Sequence, residues 1–292
     1  MSTVAAPVQT AIRARRPRFD LSETPLHWVP RDALATHVMN VLHIMLPPGE
    51  RWFCDVYREA LPLITDDQLR QDVKGFMGQE ATHARAHDVA REYLSRYGID
   101  TDRAMAQAEW ARVNLGGAKP FGRTVPRPLR KTWLVTRLSA IAAIEHFTAV
   151  LGDWILNGSA ELDVIGADPA MLDLLRWHGA EEVEHRAVAF DLFEHVSGSY
   201  VRRLVSMILV AIALVVGFTI GGIQLMSADP TTTERFTLRG FRRAGRQGHL
   251  PKFTFALRAI PTYLRRDYHP SQEGSTEVAL AYLASSPGVA AR

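Results

Sequence analysis

Two Glu-x-x-His units, Glu80-Ala81-Thr82-His83 and Glu182-Val183-Glu184-His185, constrain this chain of 292 residues more than any other feature. Positions i and i+3 of an α-helix lie on one face, so each unit aims a carboxylate and an imidazole at one point. Apolar residues recur at helical spacing through most of the chain, and strand-like alternation is scarce. The pattern predicts helices over residues 31–46, 48–61, 66–97, 102–114, 129–156 and 168–196. Pro47-Pro48-Gly49 separates the first two, because proline removes a helical donor but is tolerated at a helix start. Asp66 or Thr65 is placed to cap the third, and Asp168-Pro169 is a strong helix start. Two antiparallel helices joined by a short turn bring residues equally far from the turn to the same height. Glu50 and Glu80 are centred on residue 65, inside the predicted turn 62–66. Glu145 and Glu182 are centred between residues 163 and 164, inside the predicted loop 157–168. Each hairpin therefore sets a lone Glu level with a Glu-x-x-His unit.

Four helices offering Glu50, Glu80 with His83, Glu145, and Glu182 with His185 form the ligand set of ferritin-like carboxylate proteins, which hold two metal ions. The expected fold is all-α, a ferritin-like four-helix bundle over residues 31–200. Four carboxylates buried in an apolar bundle would be costly, and two divalent cations would neutralise them. Oxygen and nitrogen donors suit iron first, with manganese or an Fe/Mn pair as the alternative. Taken singly, each Glu is equally a salt-bridge partner and each His a core histidine; the matched heights of all six argue for metal. His87, one turn beyond His83, and His178, one turn before Glu182, are candidates for a further ligand or for proton transfer. Asp153, two turns beyond Glu145, is a candidate to hold a ligand imidazole from behind. His146 lies about 100° around the helix from Glu145 and is not expected to bind metal; Glu181 and Glu184 also point elsewhere.

The rest of the chain adds a polar, Pro-punctuated arm (residues 1–30), an apolar helix (201–228), a basic and aromatic segment (229–270) and a flexible tail (271–292). Residues 204–226 carry no charge; as a helix they would be about 34 Å long, enough to cross a bilayer core. Gly217 and Gly221 form a small-xxx-small pair suited to packing another helix. Between Arg235 and Arg266 there are nine Lys or Arg residues and no Asp or Glu, which suits the anionic surface of a membrane. The net charge of +3 is too small to imply nucleic-acid binding, and none is expected. Cys54 is the single cysteine, which excludes an intrachain disulfide and a thiolate metal site. The expected location is at a membrane with the bundle on the cytoplasmic side, and the layout admits a homodimer.

Four stretches carry a likeness to a known family: Pro47 to Phe53 around Glu50, Gly78 to His83, Ile144 to Thr148, and Trp177 to His185. In combination, over about residues 30 to 260, the chain resembles the predicted metal-dependent hydrolases, a family integral or peripheral to bacterial membranes. The ligand set also resembles di-iron oxidases, oxygenases and desaturases, and one fold serves both chemistries. The favoured expectation is an O2-dependent oxidoreductase acting on a hydrophobic or lipid-like substrate and drawing on an electron donor. The alternative is a hydrolase using a hydroxide bridging two metals about 3.5–4 Å apart. A further alternative is an iron-storage or redox-sensing module.

Overall fold

The computed structural model describes residues 11–291, and the described residues contain helices and no strand. The bundle is built from α2 (Leu42–Ala60), α3 (Asp67–Arg96), α5 (Arg130–Asn157) and a fourth rod made of α7 (Pro169–His185) and α8 (Val188–Val196). α1 (Ala33–Asn40) precedes it, and α4 (Asp102–Ala111) and α6 (Ala160–Val164) lie in its connections. The predicted caps are present: Asp66 accepts from the Leu69 amide at 2.7 Å, and Asp168 accepts from Met171 at 2.8 Å ahead of Pro169. α2 packs along α3 and α5 along α7, which gives the two expected hairpins.

Three boundaries differ from the sequence expectation. Pro47 and Pro48 do not break the chain; they lie inside α2, and the break falls at Val41. Both prolines are buried, and packing offsets the two lost helical donors. The fourth rod is interrupted directly after His185, where Arg186 turns back to the Val183 carbonyl and also donates to the Pro270 carbonyl at 3.1 Å. The tail expected to be flexible instead forms α12 (Thr276–Ser285) and α13 (Pro287–Ala290). These pack on α7, where Asp173 accepts from Tyr282, Ser286 and the Gly288 amide at 2.7–2.8 Å. Of the polar arm, residues 1–10 lie outside the described residues; the remainder is non-helical and docks on the bundle through Arg15.

Within the second hairpin, α5 and α7 meet backbone to backbone at Gly152 and Gly179. A Cβ on Gly152 would stand 2.4 Å from the Gly179 carbonyl oxygen, so the backbones touch and only glycine fits. This contact lies two turns beyond Glu145 and one turn before Glu182, and it fixes the separation of the two ligand-bearing helices.

The apolar stretch forms α9 (Tyr200–Ala228). By length and composition it could cross a membrane, as could residues Arg127–Asn157, which are mostly buried as a core rod of the bundle. α9 runs lengthwise against the bundle. Met207 and Val210 are buried near its start, Gly217 and Gly221 seat Met45 and Val41, and Leu225 and Met226 are buried at its end. The small-xxx-small pair thus receives side chains rather than a second backbone. The other face exposes Val205, Leu209, Ile212, Val215, Val216 and Ile220. The basic segment continues as α10 (Leu238–Gln247) against α1, and α11 (Phe253–Tyr263) against α5 and α9.

Candidate metal centre

All six sequence-predicted ligands converge in the middle of the bundle, and all are at most 2% exposed. Glu80 Oε1 lies 3.3 Å from His83 Nδ1 and 3.4 Å from His185 Nε2, so one oxygen faces both imidazoles. Glu182 spans the same gap, with Oε1 3.6 Å from His83 Nδ1 and Oε2 3.3 Å from His185 Nε2. Glu145 Oε2 is 3.3 Å from His185 Nε2 on one side. Glu50 stands on the other, within a group formed with His83 and His178. Two donor atoms bound to one cation at bond lengths of about 2.0–2.2 Å sit roughly 2.9–3.6 Å apart. The spacings here fall in that range and exceed good hydrogen-bond lengths.

The fit to a pair of cations rests on unmet polar atoms. Both oxygens of Glu50, Glu80 and Glu145, and His83 Nδ1, are buried with no hydrogen-bond partner. Native interiors rarely leave such groups unsatisfied, and seven orphaned atoms aimed at one another need an electropositive occupant.

Behind the ligands a polar belt holds the imidazoles. His83 Nε2 donates to Glu181 at 2.9 Å, and His185 Nδ1 donates to Gln79 Oε1 at 2.9 Å. Gln79 Nε2 donates to Glu184 at 2.7 Å, and Arg15 ties Glu184 to Glu181 with contacts of 2.7–2.9 Å. Each of these imidazoles thereby turns its other nitrogen inward. Asp153, the residue expected for this task, is elsewhere. It accepts from Asn157 at 2.9 Å and lines a cavity of about 360 Å³ with His146, Arg186, Tyr268 and Glu273. His146 does point away from the centre, donating through Nε2 to the Ala259 carbonyl at 2.9 Å, with Nδ1 2.7 Å from the Tyr268 hydroxyl. His178 and His87 are drawn in as a connected pair, and His87 leads on to His43 at 2.7 Å.

His43, Gln79 and Arg15 were given no part at the centre from sequence, and Glu181, expected to point elsewhere, instead holds His83 from behind. His43 carried a usable signal, since it lies two turns before Glu50 on α2. Reading Pro47-Pro48 as a break severed that relation.

Electrostatics agree with a cation-shaped deficit. Burial, then the charges of Glu80, Glu182 and Glu145, hold Glu50 well above the usual carboxylate range. Burial and Glu182 push Glu80 up to about 8, and burial with Glu182 and Glu80 raises Glu145 strongly. Burial acts to raise Glu182 too, but His185 and His178 outweigh it and hold it well below normal. Burial likewise opposes a charge on His185, yet Glu182 and Glu145 raise it well above normal. Burial and the crowding of the acids thus favour the protonated forms of Glu50, Glu80 and Glu145 in the metal-free centre. Cations must displace those protons, so loading releases protons and affinity rises as pH climbs through about 8. Adding Mn(II) anaerobically to weakly buffered protein with a pH indicator should release protons at pH 7. Affinity that stays constant from about pH 6 to 9 would contradict this charge state.

A family model described as predicted metal-dependent hydrolase matches residues 13–274. The chain belongs to this family. No curated protein and no solved structure matches it. Membership corrects the favoured sequence expectation: the family is described as predicted metal-dependent hydrolases, so the O2-dependent oxidoreductase, with its electron donor, gives way to the hydrolase alternative. The buried glutamates and histidines of this family member supply groups able to hold metal, in keeping with metal dependence.

Proposed function

We propose that this family member hydrolyses ester bonds of hydrophobic, lipid-like molecules, using two divalent ions held by Glu50, Glu80, His83, Glu145, Glu182 and His185. The observation that carries the proposal is the set of seven buried, unpartnered ligand atoms in a chain of the metal-dependent hydrolase family. Iron or manganese suits the oxygen and nitrogen donors. When bound, such a pair acidifies water and polarises a carbonyl or phosphoryl oxygen. The protein's part is positional. Glu80 and Glu182 each face both His83 and His185 and would hold the two ions between them, Glu181 and Gln79 lock the two imidazoles, and the surrounding core keeps bulk water from the carboxylates.

The substrate class and location are supported by α9 and the segment after it. A continuous exposed aliphatic face beside an acid-free basic run suits an anionic lipid surface. Because both ends of α9 are packed on the bundle, this reading lays the helix along the cytoplasmic leaflet rather than across it.

The test is hydrolysis under nitrogen by protein loaded with redox-inert Zn(II). Lipid-like carboxylic and phosphoric esters are presented in zwitterionic vesicles, with and without anionic lipid. Turnover without O2, abolished by a chelator and raised by anionic lipid, is the expected result. A metal-loaded protein inert toward both ester classes would end the proposal.

A further inference from the structure

Three imidazoles, rather than two, turn a nitrogen into the centre. His178, on α7, stacks on His83 with ring centroids 4.1 Å apart. Its Nε2 lies 2.8 Å from Glu182 Oε1 and 3.8 Å from Glu50 Oε1. Glu50, His83 and His178 each present a donor atom within one small volume, on the side of the centre away from Glu145.

The far side of the ring repeats the design of the other two. His83 is held from behind by Glu181 and His185 by Gln79. His178 is held through Nδ1 by His87 Nε2, and His87 Nδ1 is held by His43 Nδ1 at 2.7 Å. Metal-binding histidines characteristically donate their outer N–H to a fixed partner. The protons can be assigned along this chain without charging any ring. Without metal, His178 Nε2 is at hydrogen-bond distance from Glu182 Oε1; with its Nε2 lone pair given to a metal instead, His178 Nδ1–H would donate to His87 Nε2. His87 Nδ1–H then donates to His43 Nδ1, and His43 keeps its proton on Nε2. Each contact contains one hydrogen, and all three rings are neutral, as burial of the three side chains demands.

We infer that His178 is a seventh metal ligand, serving the Glu50 and His83 position, and that His87 and His43 are positioning residues that fix its tautomer. The inference rests on the metal pair proposed above. It makes the two positions unequal. Glu50, His83 and His178 would hold one ion and Glu145 and His185 the other, with Glu80 and Glu182 facing both groups, so the Glu145 group would offer fewer protein donors. Water and substrate are therefore assigned to the Glu145 side.

The test replaces the metals with Co(II) and counts hyperfine-shifted, solvent-exchangeable imidazole N–H signals by proton NMR, since each ligand imidazole contributes one. Wild-type protein should show three, and His178→Leu two. In metal titrations followed by competition with a chelator, His178→Leu should weaken one ion at least tenfold and leave the other unchanged. His87→Gln, which retains an acceptor for Nδ1–H, should keep three imidazole signals and weaken the same ion about tenfold. Two signals in the wild type, or two ions held by His178→Leu with unchanged affinity, would overturn the assignment. Should His178→Leu fail to fold, the wild-type count decides alone. A wild-type chain that binds no Co(II) would refute the underlying metal pair, a result distinguishable from two ions carrying one imidazole each.

Discussion

Glu182→Ala should lower the metal content of the purified protein from two ions per chain to at most one. No other carboxylate of the set reaches so many imidazoles: one oxygen faces His83 and His178, and the other faces His185. Loss of this carboxylate removes one ligand from each metal position and a full negative charge from between two cations. The same change strips His185 of the strongest influence raising its proton affinity, so its titration should move back toward that of an ordinary histidine. Metal analysis after anaerobic purification, with His185 followed by NMR in the metal-free state, reads both effects. Glu92→Ala, on the exposed side of α3, serves as the control and should retain two ions. A Glu182→Ala protein that keeps two ions would show that α7 does not bridge the pair.

Gly152→Val should damage fold and centre together. The added Cβ would stand 2.4 Å from the Gly179 carbonyl oxygen, a backbone atom that cannot swing aside. Overpacking of this kind costs about 1–3 kcal/mol, and more where backbone must move. Relief comes only by separating α5 from α7, which pulls Glu145 away from Glu182. A fall of several degrees in the melting temperature of the metal-free protein is expected, with weakened binding at the Glu145 position. A variant that melts within a degree of wild type and holds both ions would contradict the role given to this crossing.

The hairpin argument from sequence brought the six side chains to one height because it used only helical periodicity and the symmetry of a turn. Both survive whatever the loops do: α6 inside the second connection left the heights of Glu145 and Glu182 matched. The outer belt was less legible. Glu181 and His83 are 98 residues apart, and Arg15 and Glu184 are 169 apart, so no local spacing announces either contact. Asp153 had the right spacing from Glu145 on one helix, but eight residues of helical drift carried it to the cavity beside His146. The tail looked loose by composition, yet Asp173 on α7 supplies its anchor, which only the folded chain brings near. The length of α9 was plain; its attachment along the bundle was not, because hydropathy reports what leaves water and not what receives it.

The most direct measurement is elemental analysis of wild-type protein purified without oxygen and without chelators. Two transition-metal ions per chain are expected, lost on chelation and restored on adding Mn(II) or Fe(II). Protein that arrives free of such metal, and takes none up when supplied with it, would mean that the buried carboxylates are neutralised by protons alone.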